Sequence, residues 1–175
     1  MSTMGSEMTA DIKIETGTDE LLCVIRDRVA VITLNRPDAR NSLSDTLTPA
    51  LRTMIRTCGE NPEVGVLLVT GAGKAFCAGG DIAAIYHAAK AGDHTVGQRF
   101  FADEYQMNAA IRDYPKPIVA FMQGFVMGGG VGLGGHASHR VVGDTTQVAM
   151  PEAGIGMIPD VGGTWLRSEE RRVGK

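Results

Sequence analysis

The stretch MPEAGIGMIPDVGG, Met150 to Gly163, carries two acids eight residues apart, Glu152 and Asp160, each directly after a proline. Six apolar or small residues, Ala153 to Ile158, separate Glu152 from Pro159, and a Gly-Gly pair follows Val161. Apolar surroundings disfavour an ionised carboxylate and raise its pKa towards a useful acid/base range. Proline fixes φ, so Pro151 and Pro159 give each acid a defined direction. Two orientable carboxylates on one loop suit proton transfer or nucleophilic attack. The same spacing also describes a surface loop with two solvated acids. The segments upstream shift the balance towards chemistry.

Glycine is the compositional outlier, at 23 of 175 residues, many of them clustered. GAGKAFCAGGD (Gly71 to Asp81) and QGFVMGGGVGLGGHAS (Gln123 to Ser138) each follow an apolar run and precede a predicted helix. Glycine there lets backbone N–H groups approach a ligand with no side chain in the way. The positive end of a helix adds to the pull on an anion. One N–H from each loop would form an oxyanion hole for a polarised carbonyl. Gly130, Gly132 and Gly135 also spell GxGxxG after a strand. A lone match in glycine-rich sequence is a weak dinucleotide signal, and it leaves the acidic loop unexplained. GAGKAF lacks the Ser or Thr that a P-loop needs after its Lys. His136 and His139 are three residues apart, and a metal site would need a third ligand from elsewhere in space.

The elements that must position these loops follow from periodicity. LLCVIRDRVAVITL (Leu21 to Leu34) reads as a β-hairpin. Ser44 or Asp45 is an N-cap for a helix through about Cys58, with Leu47, Leu51, Met54 and Ile55 at helical spacing. Pro49 lies in the first turn, and Asn61 with Pro62 ends the helix. VGVLLVT (Val64 to Thr70) reads as a strand buried on both faces. Helices follow from Asp81 or Ile82 to about Lys90 and from about Val96 to Arg112. PIVAFM (Pro117 to Met122) is the next strand, and the latter part of the second glycine segment is a candidate helix. RVVG and QVAM are short strands that deliver the chain to the acidic loop. The alternation implies one α/β domain with a mostly parallel core sheet.

Residues 1–20 are polar and acidic and read as a disordered leader with no secretory or import pattern. RSEERRVGK, residues 167–175, is abruptly charged and reads as a tail foreign to the domain, which would span 21–166. A net charge of −3 gives no basis for nucleic-acid binding, and no apolar run is long enough to span a membrane. Three cysteines without a CxxC pair argue against a disulfide framework or zinc site and fit a reducing cytoplasm. Cys77, inside a glycine loop, is a minor candidate nucleophile.

Four blocks, in order, resemble the crotonase (enoyl-CoA hydratase/isomerase) superfamily. They are NRPDARNSL, GKAFCAGGDI, PIVAFMQGFVMGGGVGL and MPEAGIGMIPDVGGTW. The resemblance implies a spiral of ββα units and an acyl-CoA thioester bound through its carbonyl oxygen to the N–H groups of Gly80 and Gly129. It runs nearest to the branch that hydrolyses 3-hydroxyisobutyryl-CoA in valine catabolism, through GGDI, FFADEY, MGGGVGL and PEAGIGMIPDVGG. By that resemblance Glu152 and Asp160 are the catalytic carboxylates and Glu104 is a further, substrate-contacting residue. Coenzyme A would enter as part of the substrate, with no metal or redox cofactor. Arg36, Arg40 and Lys74 are candidate partners for its phosphates. Hydratases of the superfamily carry a second glutamate two residues after their GGG, where this chain has Gly132, and usually glycine where it has Asp160. Water addition by two glutamates is therefore disfavoured. An isomerase, which needs one base, stays open. Family members are longer and use further C-terminal helices to close the site and to form oligomers. A non-catalytic fragment is thus a third reading.

Overall fold

A computed structural model describes residues 11–166. The predicted hairpin forms as β2 (Leu21–Arg26) and β3 (Val29–Leu34), antiparallel, with Leu21 opposite Leu34 and Arg26 opposite Val29. A short strand β1 (Ile12–Ile14) pairs antiparallel with β2, Ile12 facing Ile25. This corrects the expectation of a disordered leader for residues 11–20: alternate residues of β2 are free to accept a partner edge, and Arg26 grips Asp11 through two hydrogen bonds of 2.5 Å. Residues 1–10 and the tail 167–175 lie outside the described residues.

After the hairpin, α1 (Leu47–Glu60) buries Leu47, Leu51, Met54, Ile55 and Cys58 on one stripe. Spacing of three and four residues puts them on one face. Ser44 acts at its start as expected: its Oγ accepts the Leu47 N–H at 2.8 Å. The chain then crosses to β4 (Val66–Gly71), which lies parallel to β3. Only alternate residues of β4 are fully buried, so the expected strand with two buried faces is instead half-covered on one side.

Helices α2 (Ile82–Lys90) and α3 (Thr95–Arg112) form at the predicted places and lead to β5 (Ile118–Met122), parallel to β4. A strand that the sequence reading missed, β6 (Phe125–Met127), follows at once. Then come α4 (Gly129–Gly135), β7 (His139–Val142) and β8 (Gln147–Ala149). The main sheet runs β1-β2-β3-β4-β5-β7, and β6 pairs parallel with β8 in a separate two-stranded sheet. Three of the main sheet's pairings are parallel. The core fills the space between this sheet and helices α1 and α3, with Leu21, Ile32, Leu34, Leu51, Phe76 and Met107 at or near zero exposure. Both glycine segments therefore leave the carboxyl ends of adjacent parallel strands, where open α/β sheets place their ligand crevices.

Candidate active site

The first glycine segment is held from below by the NRPDARN turn. Asn41 is fully buried and adopts a left-handed backbone, φ 56°, which asparagine tolerates better than most residues. Its Nδ2 donates to the carbonyls of Ala72 (2.9 Å) and Ala75 (2.8 Å), and its Oδ1 accepts the Arg36 N–H (2.8 Å). Leu43 then brackets the loop tip: its N–H donates to Gly79 and its carbonyl accepts from Asp81, both at 2.8 Å. On the far side the loop joins β6 through Cys77, whose N–H donates to Phe125 and whose carbonyl accepts from Met127. The two glycine segments are thus laced together, and their tips meet at Gly79 to Gly80 and Gly128 to Gly129.

These tips line one cavity of about 130 Å³ together with Glu104, Glu152 and Asp160. All five residues singled out from the sequence therefore converge on one small space, walled by Phe100, Phe101, Ile155 and Met157. The N–H groups of Gly80 and Gly129 make no backbone hydrogen bond among the described residues. Such free donors at a cavity wall are what a carbonyl oxygen needs. A side chain at the second tip would displace the acids. A Cβ on residue 128 would stand 2.6 Å from Glu152 Oε1, and one on residue 129 would collide with Glu104 Oε1.

The three acids arrive from different elements. Glu152 opens a short 3-10 turn (Glu152–Ile155) after Pro151 and is 8% exposed. Glu104 projects from α3 and is 3% exposed. Glu104 Oε1 and Glu152 Oε2 are buried without a hydrogen-bond partner among the described residues. Buried polar atoms are normally paired, so two unpaired carboxylate oxygens beside one cavity are exceptions that a functional role would explain. Burial, reinforced by the charges of Asp160 and Glu152, raises the Glu104 carboxyl to about 8. At neutral pH Glu104 is therefore mostly a neutral acid that can donate a hydrogen bond. Asp160 accepts one from the neighbouring helix: Tyr105 Oη donates to its Oδ2 at 2.7 Å. Burial and this bond push the Tyr105 phenol up to about 12, so the proton stays on the phenol.

Other candidates are placed away from the chemistry. Cys77 is fully buried, and burial pushes its thiol up to about 12, far from a reactive thiolate. Arg36 is occupied: it bonds the Ser42 carbonyl (2.6 Å), Asp81 (3.2 Å) and Glu20 (3.2 Å) and so serves the frame. Arg40 stacks over the Phe125 ring at 5.4 Å. His136 Nε2 bonds the Val161 carbonyl at 2.8 Å, and His139 Nδ1 meets Ser138 Oγ at 3.0 Å. Sequence reasoning missed Tyr105 as the partner of Asp160 and missed Asn108 altogether. The helical spacing of Glu104 and Asn108, four residues apart on one face, was the available signal.

A family model described as enoyl-CoA hydratase/isomerase matches residues 29–174. The chain belongs to this family. The α/β architecture with a mostly parallel core sheet is that of the family's crotonase fold, as the sequence resemblance implied. Two solved structures have the same fold. An enoyl-CoA hydratase from Rhodobacter sphaeroides matches with a TM-score of 0.80 at 49% identity, over 83% of this chain and 43% of that one. A carnitinyl-CoA dehydratase from Mycobacterium thermoresistibile matches with a TM-score of 0.80 at 48% identity, over 85% and 44%. Curated relatives include 3-hydroxyisobutyryl-CoA hydrolase, mitochondrial, of Xenopus tropicalis, 49% identical over 137 residues, 78% of this chain and 35% of that protein. The protein of that name from Rattus norvegicus is 46% identical over 152 residues, 86% and 39%. This family member thus spans less than half the length of these relatives.

Proposed function

We propose that the site hydrolyses an acyl-CoA thioester, with 3-hydroxyisobutyryl-CoA as the substrate. The observation that carries this reading is the convergence of two free backbone N–H donors and three acids on one cavity, with glycine at position 132. The thioester oxygen sits between the N–H groups of Gly80 and Gly129. Each such donor contributes about 3 kcal/mol of transition-state stabilisation. Glu152 lies beside the carbonyl carbon. It either adds to that carbon, expelling the thiolate and leaving an anhydride that water opens, or removes a proton from the water that attacks. Both routes end in free coenzyme A and the hydroxy acid. Asp160, fixed by Tyr105, holds the substrate hydroxyl or the water. Glu104 is protonated at neutral pH and hydrogen-bonds the acyl group as a donor.

Coenzyme A enters only as part of the substrate in this reading, and the reaction is a step of valine catabolism. The curated relatives carry the same activity in their names. Two neighbours in structure are titled hydratase and dehydratase at similar identity, so the chemistry must be read from the acids rather than from the degree of likeness. Cys23, Cys58 and Cys77 are free and buried, which supports a reducing compartment such as the cytoplasm. Among the described residues no helix is long and apolar enough to cross a membrane.

The test is to give the chain and its Glu152→Gln variant 3-hydroxyisobutyryl-CoA and, separately, crotonyl-CoA. Thiol release from the first ester, lowered about 10³-fold by the substitution, is the expected result. Loss of enoyl absorbance from crotonyl-CoA without thiol release would replace the proposal with a hydratase, and double-bond migration with an isomerase. Ester binding with no turnover of any kind would make the chain a binding fragment.

A further inference from the structure

The residue after Asp160 has a backbone that its own side chain resists. Among the described residues five non-glycine residues have positive φ, and Val161, at 46°, is the β-branched one of the five. A β-branched residue there is an outlier, and such outliers persist only where the surroundings enforce them. Gly162 follows at φ 77°, and the Gly163 N–H closes the turn on the Asp160 carbonyl at 2.7 Å. Two successive positive φ values inside a turn closed this way are the pattern of type I′, which favours Asn-Gly rather than Val-Gly.

What enforces the turn lies on α4. The Val161 side chain is 5% exposed and takes the space beside Gly132: a Cβ on residue 132 would stand 2.7 Å from the Val161 Cβ. His136, which caps the end of α4, bonds the Val161 carbonyl through Nε2 at 2.8 Å. A carbonyl only accepts, so Nε2 carries the proton. The imidazole also lies over Gly162, where a Cβ would stand 2.9 Å from its Cε1 and Nε2, and it stacks against Trp165 with 6.4 Å between ring centroids. Gly129, Gly132 and His136 are three and four residues apart, so one face of α4 carries the oxyanion donor at its start and both holds on the Asp160 turn further along. One short element therefore spaces the donor from the acid. Tyr105 fixes the Asp160 carboxylate, whereas His136 fixes the backbone that carries it.

We propose that His136 is a positioning residue: its bond to the Val161 carbonyl holds the Asp160 turn in the conformation that valine resists, so that Asp160 keeps its place relative to the Gly129 N–H. What Asp160 does there rests on the thioester reading above, and the hold on its backbone does not.

The experiment compares His136→Leu and His136→Gln in the parent chain with His136→Leu in a Val161→Asn background, where Asn-Gly favours the turn without help. His136→Leu should lower kcat for thiol release from 3-hydroxyisobutyryl-CoA about 30-fold while KM moves less than about threefold, the pattern of a displaced group rather than of lost binding. His136→Gln, whose amide can still donate to the carbonyl, should recover to within about threefold of the parent. In the Val161→Asn background the loss caused by His136→Leu should shrink to about threefold, because the two residues act on one turn. Hydrogen exchange gives a reading that needs no substrate. The Gly163 amide should exchange about tenfold faster in His136→Leu, while the Leu67 amide, bonded to Pro117 in the core at 3.0 Å, should keep its rate. Equal acceleration at both amides would show a merely structural histidine and overturn the proposal. So would an unchanged Gly163 rate, or the same kcat loss in both backgrounds. A parent chain that releases no thiol would refute the hydrolase reading alone, and faster exchange confined to the turn would then leave the clamp standing.

Discussion

Asn41 and Asn108 are both buried asparagines within the same fold, and their surroundings could hardly differ more. Asn41 has its amide fully engaged, holding the first glycine segment by three hydrogen bonds of 2.8 to 2.9 Å. Asn108 engages none of its amide atoms among the described residues. The same division separates their neighbourhoods. Around Asn41, Arg36 bonds Ser42, Asp81 and Glu20, and Leu43 bonds Gly79 and Asp81. One turn before Asn108 on α3, Glu104 carries an orphaned oxygen and shares a cavity with Glu152, orphaned likewise, and with the free N–H groups of Gly80 and Gly129. One region is a frame in which polarity is satisfied internally. The other holds buried polar groups that the chain itself leaves unpaired. Stability and function are thus assigned to different buried polar groups, and substitutions should sort the two.

The largest expected effect lies in the frame. Asn41→Ala removes three hydrogen bonds and orphans two carbonyls and one N–H. It also places alanine at a positive φ. Together these should destabilise the chain by about 4 kcal/mol, read as a lowered denaturant midpoint. A loss below about 1 kcal/mol would mean that the turn is not the frame described here.

The opposite sign is expected on the ligand side. Glu104 has its folded pKa raised from 4.5 to about 8. The folded state therefore binds a proton more tightly than the unfolded chain does. Stability from this group is complete below pH 4.5 and declines as pH rises to about 8, where the ionised form is forced into the cavity. Glu104→Gln keeps the shape and removes the titration. The variant should match the parent near pH 4 and exceed it by about 4 kcal/mol at pH 8. Thermal melts of both proteins across that range check it. Parallel pH profiles would place Glu104 in water rather than in a closed cavity.

The same contrast explains what could be read from the chain alone. The elements were legible because α1, α3 and the hairpin bury residues at regular spacing. Both glycine tips and the two loop acids were legible because their residue types are rare in that pattern and match a known family. Strand β6 was missed because it is three residues long and embedded in glycine. β1 was missed because Ile12 and Ile14 are flanked by charge. Tyr105 and Asn108 were missed because only their spacing from Glu104 on one helix marks them, and that spacing alone does not separate a site residue from a core one. Their meaning arises only when the chain returns, about fifty residues later, with Asp160 and Val161.

The smallest and sharpest test concerns that return. Tyr105 is half-exposed, so Tyr105→Phe should change stability by less than about 1 kcal/mol. Its bond is the one fixed contact that the Asp160 carboxylate makes to α3. Without it the carboxylate turns freely, and thiol release should slow about tenfold, with kcat falling more than KM changes. The phenol supplies an independent reading. Of the three tyrosines, the one held up to about 12 should ionise at lower pH in an Asp160→Asn chain, because the charge that opposes its ionisation is gone. An unchanged ultraviolet titration in that variant would detach Tyr105 from Asp160. Tyr105 would then belong with the solvated surface of α3, and the ligand side would be reduced to its three acids.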